Sequence, residues 1–191
     1  SLTCPVVVDP VMVAKSGDRL LHTDAIGALR EKMIPQASLI TPNLPEAADL
    51  LEVAEAQSRS DMIQQSEQLL ALGPKAVFLK GGHLRTVESP DLLTTADAAI
   101  WFESKRFDTS NTHGTGCSLS SALASFLGQG YSIEQAGSLA KKFMVGAIDN
   151  ADWENYHSHR KSFANSKSQE KTFIAFFKSF LSGEKDFSHV K

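Results

Sequence analysis

Apolar residues along this chain fall into short unbroken runs separated by longer stripes of helical spacing. Val6-Val7-Val8 is a run of three β-branched residues closed by Asp9-Pro10, and Leu39-Ile40-Thr41 and Ala76-Val77-Phe78-Leu79-Lys80 repeat the form. A strand covered on both faces has no polar side, so such runs predict short buried strands of a largely parallel sheet. Helical patterns lie between them. One helix is predicted over residues 23–33, capped by Thr23 or Asp24, carrying Ile26, Leu29 and Ile34 on one side and stopped by Pro35. A second is predicted over 44–55 and a third over 61–72, ending at Gly73-Pro74. Residues 92–94 and 98–102 read as a hairpin. A small-residue helix is predicted over 117–127, and a longer one over 133–150 with Ser132 and Gln135 as a capping box.

Strands alternating with helices predict an α/β fold around a mostly parallel sheet, and the hairpin predicts a mixed edge. No internal repeat is visible. Residues 1–151 read as one α/β domain and 152–191 as a separate tail. That tail opens polar and then carries Phe173, Phe176, Phe177, Phe180 and Leu181 at helical spacing, an apolar stripe that calls for a partner surface.

Composition narrows the classes. The chain has 191 residues, of which 42% are hydrophobic, enough for a full core. No apolar run approaches the ~18 residues of a membrane span, and no secretory signal pattern opens the chain. The balance of 19 basic against 22 acidic residues, with no basic stripe, argues against a nucleic-acid footprint. Cys4 and Cys117 stand too far apart in sequence for a disulfide framework or a four-ligand zinc site, so a reducing, cytoplasmic setting is expected. The first buried strand begins almost at residue 1, a Ser, which is the expectation for a piece of a longer chain.

Candidate chemistry concentrates at the predicted carboxyl ends of strands, where open α/β sheets bind ligands. Asn111-Thr112-His113-Gly114-Thr115-Gly116-Cys117 runs straight into a helix. Glycines at a helix start leave N–H groups free to converge on an anion, with the helix dipole behind them, and tolerate positive φ. The same pattern also fits a tight loop with an ordinary cap. Cys117 faces the positive end of that dipole and is a candidate base or nucleophile; its alternative is a small buried hydrophobe. Asn43-Leu44-Pro45-Glu46 fits a capping box, and also a polar site beyond a strand end. Asp9 and Lys80-Gly81-Gly82-His83 follow strand ends as well. Acidic groups so placed suit Mg²⁺ that keeps several waters.

Taken together, Val8-Asp9-Pro10-Val11-Met12 with Ser16-Gly17, Leu39-Ile40-Thr41-Pro42-Asn43-Leu44-Pro45-Glu46-Ala47, Leu79-Lys80-Gly81-Gly82-His83 and Asn111-Thr112-His113-Gly114-Thr115-Gly116-Cys117 strongly resemble the hydroxymethylpyrimidine/phosphomethylpyrimidine kinases of thiamine biosynthesis, over roughly residues 5–153. The resemblance implies a ribokinase-like, Rossmann-like three-layer sandwich, with ATP and Mg²⁺. It implies phosphorylation of 4-amino-5-hydroxymethyl-2-methylpyrimidine and then of its monophosphate, by a homodimer with no nucleic-acid or membrane partner. Gly114, Thr115 and Gly116 are implied as an anion hole, Cys117 as the catalytic residue, Asn43, Lys80 and Gly82 as nucleotide contacts, and Asp9 and Glu46 as residues near Mg²⁺. Two departures accompany it. The family's chains begin well before the first strand seen here, so the sheet is expected to be incomplete. Residues 152–170 also do not match the family's His- and Gly-rich ending. Pyridoxal kinase activity, and a non-catalytic remnant that binds nucleotide or a partner subunit, are the alternatives.

Overall fold

Why the runs at Val7, Leu39 and Ala76 lack a polar side is explained by what covers them. The computed structural model describes residues 4–12, 23–106 and 115–149. The chain divides into two units, Ser1–Val145 and Gly146–Lys191, and the sheet belongs to the first. The Phe stripe of residues 173–181 lies outside the described residues. Five strands form one sheet in sequence order: β1 (Val7–Val8), β2 (Leu39–Ile40), β3 (Ala76–Lys80), β4 (Asp91–Thr95) and β5 (Ala99–Phe102). Strands β1, β2 and β3 run parallel, and β4 and β5 add as an antiparallel hairpin. The mixed edge is therefore two strands wide, and β1 forms the opposite edge.

Register sorts the strand residues onto two faces. Val7 pairs with Leu39, Val8 with Ile40, and Ile40 with Val77. Side chains alternate along a strand, so Val8, Ile40, Val77, Leu79, Leu92 and Trp101 share one face. They join Leu44, Ala47 and Leu50 of α2 (Leu44–Leu51) and Met62 and Leu69 of α3 (Arg59–Leu70) in one core. Leu39, Ala76, Phe78 and Leu93 point to the other face and are equally buried. Helix α4 (Thr115–Gly128) and residues 133–145 of α5 (Ile133–Asp149) belong to that side. Phe78 stacks on Phe102 there, with ring centroids 5.5 Å apart. A Cβ on Gly137 of α5 would stand 2.8 Å from Phe102, so glycine lets the helix lie close against the rings. Helices on both faces of a central sheet make the three layers that the family resemblance implies.

Several boundaries differ from expectation. Helix α2 ends at Leu51, four residues before the predicted end, because Glu52 turns left-handed at φ 58° and its N–H closes on the Ala48 carbonyl. The first helix is short, α1 (Thr23–Ala28), and widens into a π turn (Leu29–Met33) closed by the Ile34 N–H on the Leu29 carbonyl. Pro35 does not stop it. It sits in the opening of a 3₁₀ turn (Ile34–Gln36), where its missing N–H costs nothing. Helix α3 starts at Arg59, with Ser58 Oγ accepting from the Asp61 N–H. It ends at Leu70, two residues before the predicted end, and Gly73, at φ +106°, follows in the turn beyond.

Candidate active site

The parallel register carries polar residues to one place. Asp9 follows β1, Thr41 follows β2, and Lys80 closes β3. Continuing the Val8–Ile40 pairing by one residue sets Asp9 beside Thr41, both on the α4 side. Thr41 Oγ1 donates to Asp9 Oδ1 at 3.0 Å. Lys80 Nζ donates to the same oxygen at 3.0 Å and lies 4.0 Å from Glu46 Oε2. All three charged side chains are largely buried, at 12% exposure for Lys80, 17% for Asp9 and 8% for Glu46. In that setting their mutual attraction is much less screened than on the surface.

Glu46 reaches this point because of how α2 begins. Asn43 Oδ1 accepts from the Glu46 N–H at 2.8 Å, and Glu46 Oε2 accepts from the Asn43 N–H at 2.8 Å. The capping box is therefore real, and it is also part of the cluster. The cap holds the Glu46 carboxylate rigidly against Lys80, so the two readings of this segment are one arrangement. Burial pushes the Glu46 carboxyl above its usual range; Lys80 and the Asn43 N–H pull it down, and Asp9 adds to the rise. Backbone pairing fastens the segment further, with Lys80 N–H donating to the Pro42 carbonyl at 2.9 Å.

Helix α4 brings its N-terminus to the same spot. A Cβ on Gly116 would lie 3.2 Å from Lys80 Nζ. The ammonium therefore stands at the positive end of the helix dipole, a pair of like-signed features that an anion would stabilise. Gly116 is not in a positive-φ conformation, contrary to the sequence expectation; the glycines that are, among the described residues, are Gly73 and Gly130. Gly116 is helical, and its lack of a side chain makes room for Lys80. Cys117 is in the first turn and exposed, so it is not a packed hydrophobe.

Of the residues selected from sequence, the structure gathers Asp9, Asn43, Glu46, Lys80 and Gly116, with Thr115 and Cys117 in the same first turn of α4. Gly82 stands in the exposed turn beyond Lys80, its carbonyl accepting from Arg106 Nη1 at 2.9 Å. Gly114 lies outside the described residues.

Four further residues were not visible as site residues in the sequence. Thr41 and Ser120 Oγ lie 2.8 Å apart, and Ser120 Oγ is also 3.0 Å from the Gly116 carbonyl. The two hydroxyls have one proton each for three contacts. Ser120 donating to Thr41, and Thr41 to Asp9, makes a continuous chain from α4 to the end of β1. Asp91 and Lys141 form a buried pair at 2.7 Å just behind Lys80. The Leu-Ile-Thr run ending at Thr41 was a signal for the first of these. Nothing local marks the other three, since Ser120 meets Thr41 from 79 residues away and Lys141 meets Asp91 from 50.

Among the described residues no group of three or more His, Cys, Asp or Glu side chains gathers as a metal site. Two carboxylates, Asp9 and Glu46, do meet around Lys80. That donor set fits Mg²⁺, which keeps several waters and takes its other ligands from phosphate. No helix among the described residues is long and apolar enough to cross a membrane.

Comparison with known proteins supports one family. The family model described as phosphomethylpyrimidine kinase matches residues 1–161. The hydroxymethylpyrimidine/phosphomethylpyrimidine kinase of Salmonella typhimurium is 48% identical over 147 residues, which cover 77% of this chain and 55% of that protein. The ADP complex of Bacillus subtilis pyridoxal kinase superposes with a TM-score of 0.69 at 39% identity, covering 75% of this chain and 54% of that one. The Staphylococcus aureus pyridoxal kinase bound to AMP-PCP and pyridoxal does so with a TM-score of 0.70 at 31% identity, covering 76% and 52%. The chain thus spans about half the length of the relatives it matches. On the match of sequence over 161 residues and of fold to these kinases, the chain belongs to the phosphomethylpyrimidine kinase family.

Proposed function

We propose that this chain carries the phosphoryl-transfer side of a kinase that uses ATP to phosphorylate 4-amino-5-hydroxymethyl-2-methylpyrimidine and then its monophosphate. One observation carries the reading: a buried lysine, flanked by two carboxylates, stands against the N-terminus of α4. Phosphoryl transfer asks the protein mainly for positioning and for charge stabilisation around the moving group. The backbone N–H groups of Thr115, Gly116 and Cys117, with Gly114 before them, supply an anion hole at the helix mouth. Lys80 faces the nucleotide phosphates, and Asn43 holds the strand-to-helix turn beside them. Gly82 belongs to the nucleotide side. Asp9 and Glu46 would hold a hydrated Mg²⁺. When bound, that ion offsets charge on the phosphate oxygens. Cys117, exposed at the same helix start, takes the alcohol proton as the oxygen attacks. Family resemblance alone points to a homodimer, and the two widely spaced cysteines to a reducing, cytoplasmic setting.

A second substrate class is supported by the structural neighbours that are pyridoxal kinases. The test is titration calorimetry with ATP–Mg²⁺ on the 191-residue chain, paired with ADP-release assays offering the pyrimidine alcohol and pyridoxal in parallel. Nucleotide binding with turnover on the pyrimidine alcohol is expected. Preference for pyridoxal moves the substrate assignment. Binding without turnover on either alcohol supports a nucleotide-binding remnant, and no binding at all sinks the kinase reading of this chain.

A further inference from the structure

Lys80 ends β3 directly opposite Asp91, which opens β4. Facing residues of an antiparallel pair project to the same side with Cβ atoms about 4.5–5.5 Å apart, close enough for a lysine and an aspartate to pair. They do not pair here. The Lys80 ammonium turns instead to Asp9 Oδ1 and the start of α4. Asp91 is already occupied. Its Oδ2 takes Lys141 Nζ from α5 at 2.7 Å, and its Oδ1 accepts the Gly81 N–H at 2.9 Å. Lys141 also donates to the Ser89 carbonyl at 2.9 Å, which holds the ammonium on the hairpin. Asp91 is only 5% exposed. Burying such a pair carries a desolvation cost that its attraction barely offsets, so its presence calls for a role beyond stability.

We propose that Lys141 is a positioning residue for the phosphate-binding site: by neutralising Asp91 it leaves the Lys80 ammonium free to turn toward Asp9 and the N-terminus of α4. The inference rests on reading that site as phosphate-binding, and it extends the site to a helix that contributes no group to the cluster itself. Without Lys141, Asp91 is a buried carboxylate facing Lys80 on the neighbouring strand. Lys80 then pairs sideways, and the anion site loses its charge while the backbone around it stays in place.

The test uses the full 191-residue chain with labelled lysine, reading the Lys80 side-chain resonances by NMR and ATP–Mg²⁺ affinity by calorimetry. Lys141→Met is expected to move the Lys80 resonances. It should also weaken ATP–Mg²⁺ binding by about tenfold or more, and Lys80→Met should then add almost nothing on top of it, as expected for two residues acting through one contact. Lys141→Met combined with Asp91→Asn removes the competing charge, and should return both the Lys80 resonances and the affinity close to wild type. A merely structural Lys141 would give losses that multiply with Lys80→Met, and no recovery of the Lys80 resonances in the double variant. Should Lys141→Met fail to fold, Lys141→Gln keeps hydrogen bonds to Asp91 and the Ser89 carbonyl without the charge, and must move Lys80 in the same direction. Unchanged Lys80 resonances in the folded variant overturn the proposal. If the wild-type chain binds no ATP–Mg²⁺, the kinase reading fails by itself, and the Lys80 resonances still decide whether Lys141 directs that side chain.

Discussion

The ammonium of Lys80 stands 3.2 Å from the point where a side chain on Gly116 would begin. Gly116 is helical, so the glycine answers a need for space and not for an unusual backbone. The contact joins the end of β3 to the mouth of α4, and the two positive features meet where an anion would be held. It also separates binding from stability, which makes it testable.

Gly116→Ala should not destabilise the fold. Replacing a helical glycine by alanine contributes up to about 1 kcal/mol of stability, and the only atoms crowded are at the flexible tip of Lys80. Affinity for ATP–Mg²⁺ should nevertheless fall, because the Lys80 ammonium is pushed off the helix mouth; a roughly tenfold loss, about 1.4 kcal/mol, is expected. Calorimetry alongside thermal unfolding checks the split; loss of stability with intact binding would contradict it.

Cys117→Ala keeps every backbone N–H of the helix start and removes only the thiol. On the proposed mechanism, nucleotide affinity stays near wild type while kcat on the alcohol falls about 10²–10⁴-fold, the usual range for a positioned acid–base group. Cys117→Asp should recover part of the rate. Near-wild-type turnover by Cys117→Ala would remove the thiol from the mechanism.

Gly81→Ala is expected to be severe. An added Cβ would lie 1.9 Å from the Pro90 carbonyl oxygen, so backbone must move. The same shift breaks the Gly81 N–H to Asp91 bond. A loss of about 3 kcal/mol or more is expected, at the upper end for single substitutions, and denaturant unfolding measures it.

Thr41→Val should interrupt the hydroxyl chain from Ser120 to Asp9 while preserving shape. Ser120 can turn its proton to the Gly116 carbonyl, and Asp9 keeps Lys80. The expected cost is about 1–2 kcal/mol in denaturant unfolding, that of a buried hydrogen bond lost with one partner re-satisfied.

Asp61 supplies a pH dependence. Its carboxylate accepts the Gln57 N–H at 3.0 Å, and that bond, with the Ser58 hydroxyl, holds its carboxyl below the usual 3.8. A lowered folded value means the unfolded chain binds the proton more readily. The stabilisation is therefore present above 3.8 and lost as pH falls through that value toward the folded one. Asp61→Asn should be less stable than wild type at neutral pH, and the gap should close below about pH 4. A gap that is constant with pH would show the carboxylate to be uninvolved.

Much of this architecture follows from interactions a few residues long. The unbroken runs at Val7, Leu39 and Ala76 became the three parallel strands because a strand covered twice needs no polar side. The Asn43–Glu46 and Ser132–Gln135 boxes close three residues apart and were legible as such. Even the gathering of Asp9, Asn43, Glu46 and Lys80 was foreseeable, since strand ends of one parallel sheet point to one edge. What each residue touches there was set only by packing. The place where α2 stops, at left-handed Glu52, was set against the helical pattern that continues past it. Gly116 and Gly81 are glycine because of Lys80 and the Pro90 carbonyl, and Asp91 is tolerated because of Lys141 on a helix 50 residues away. Local pattern reports which surface of an element is apolar and how its ends are capped. It does not report which distant side chain will stand opposite, because that depends on how sheet and helices stack, and there a shift of about one ångström exchanges a salt bridge for a clash.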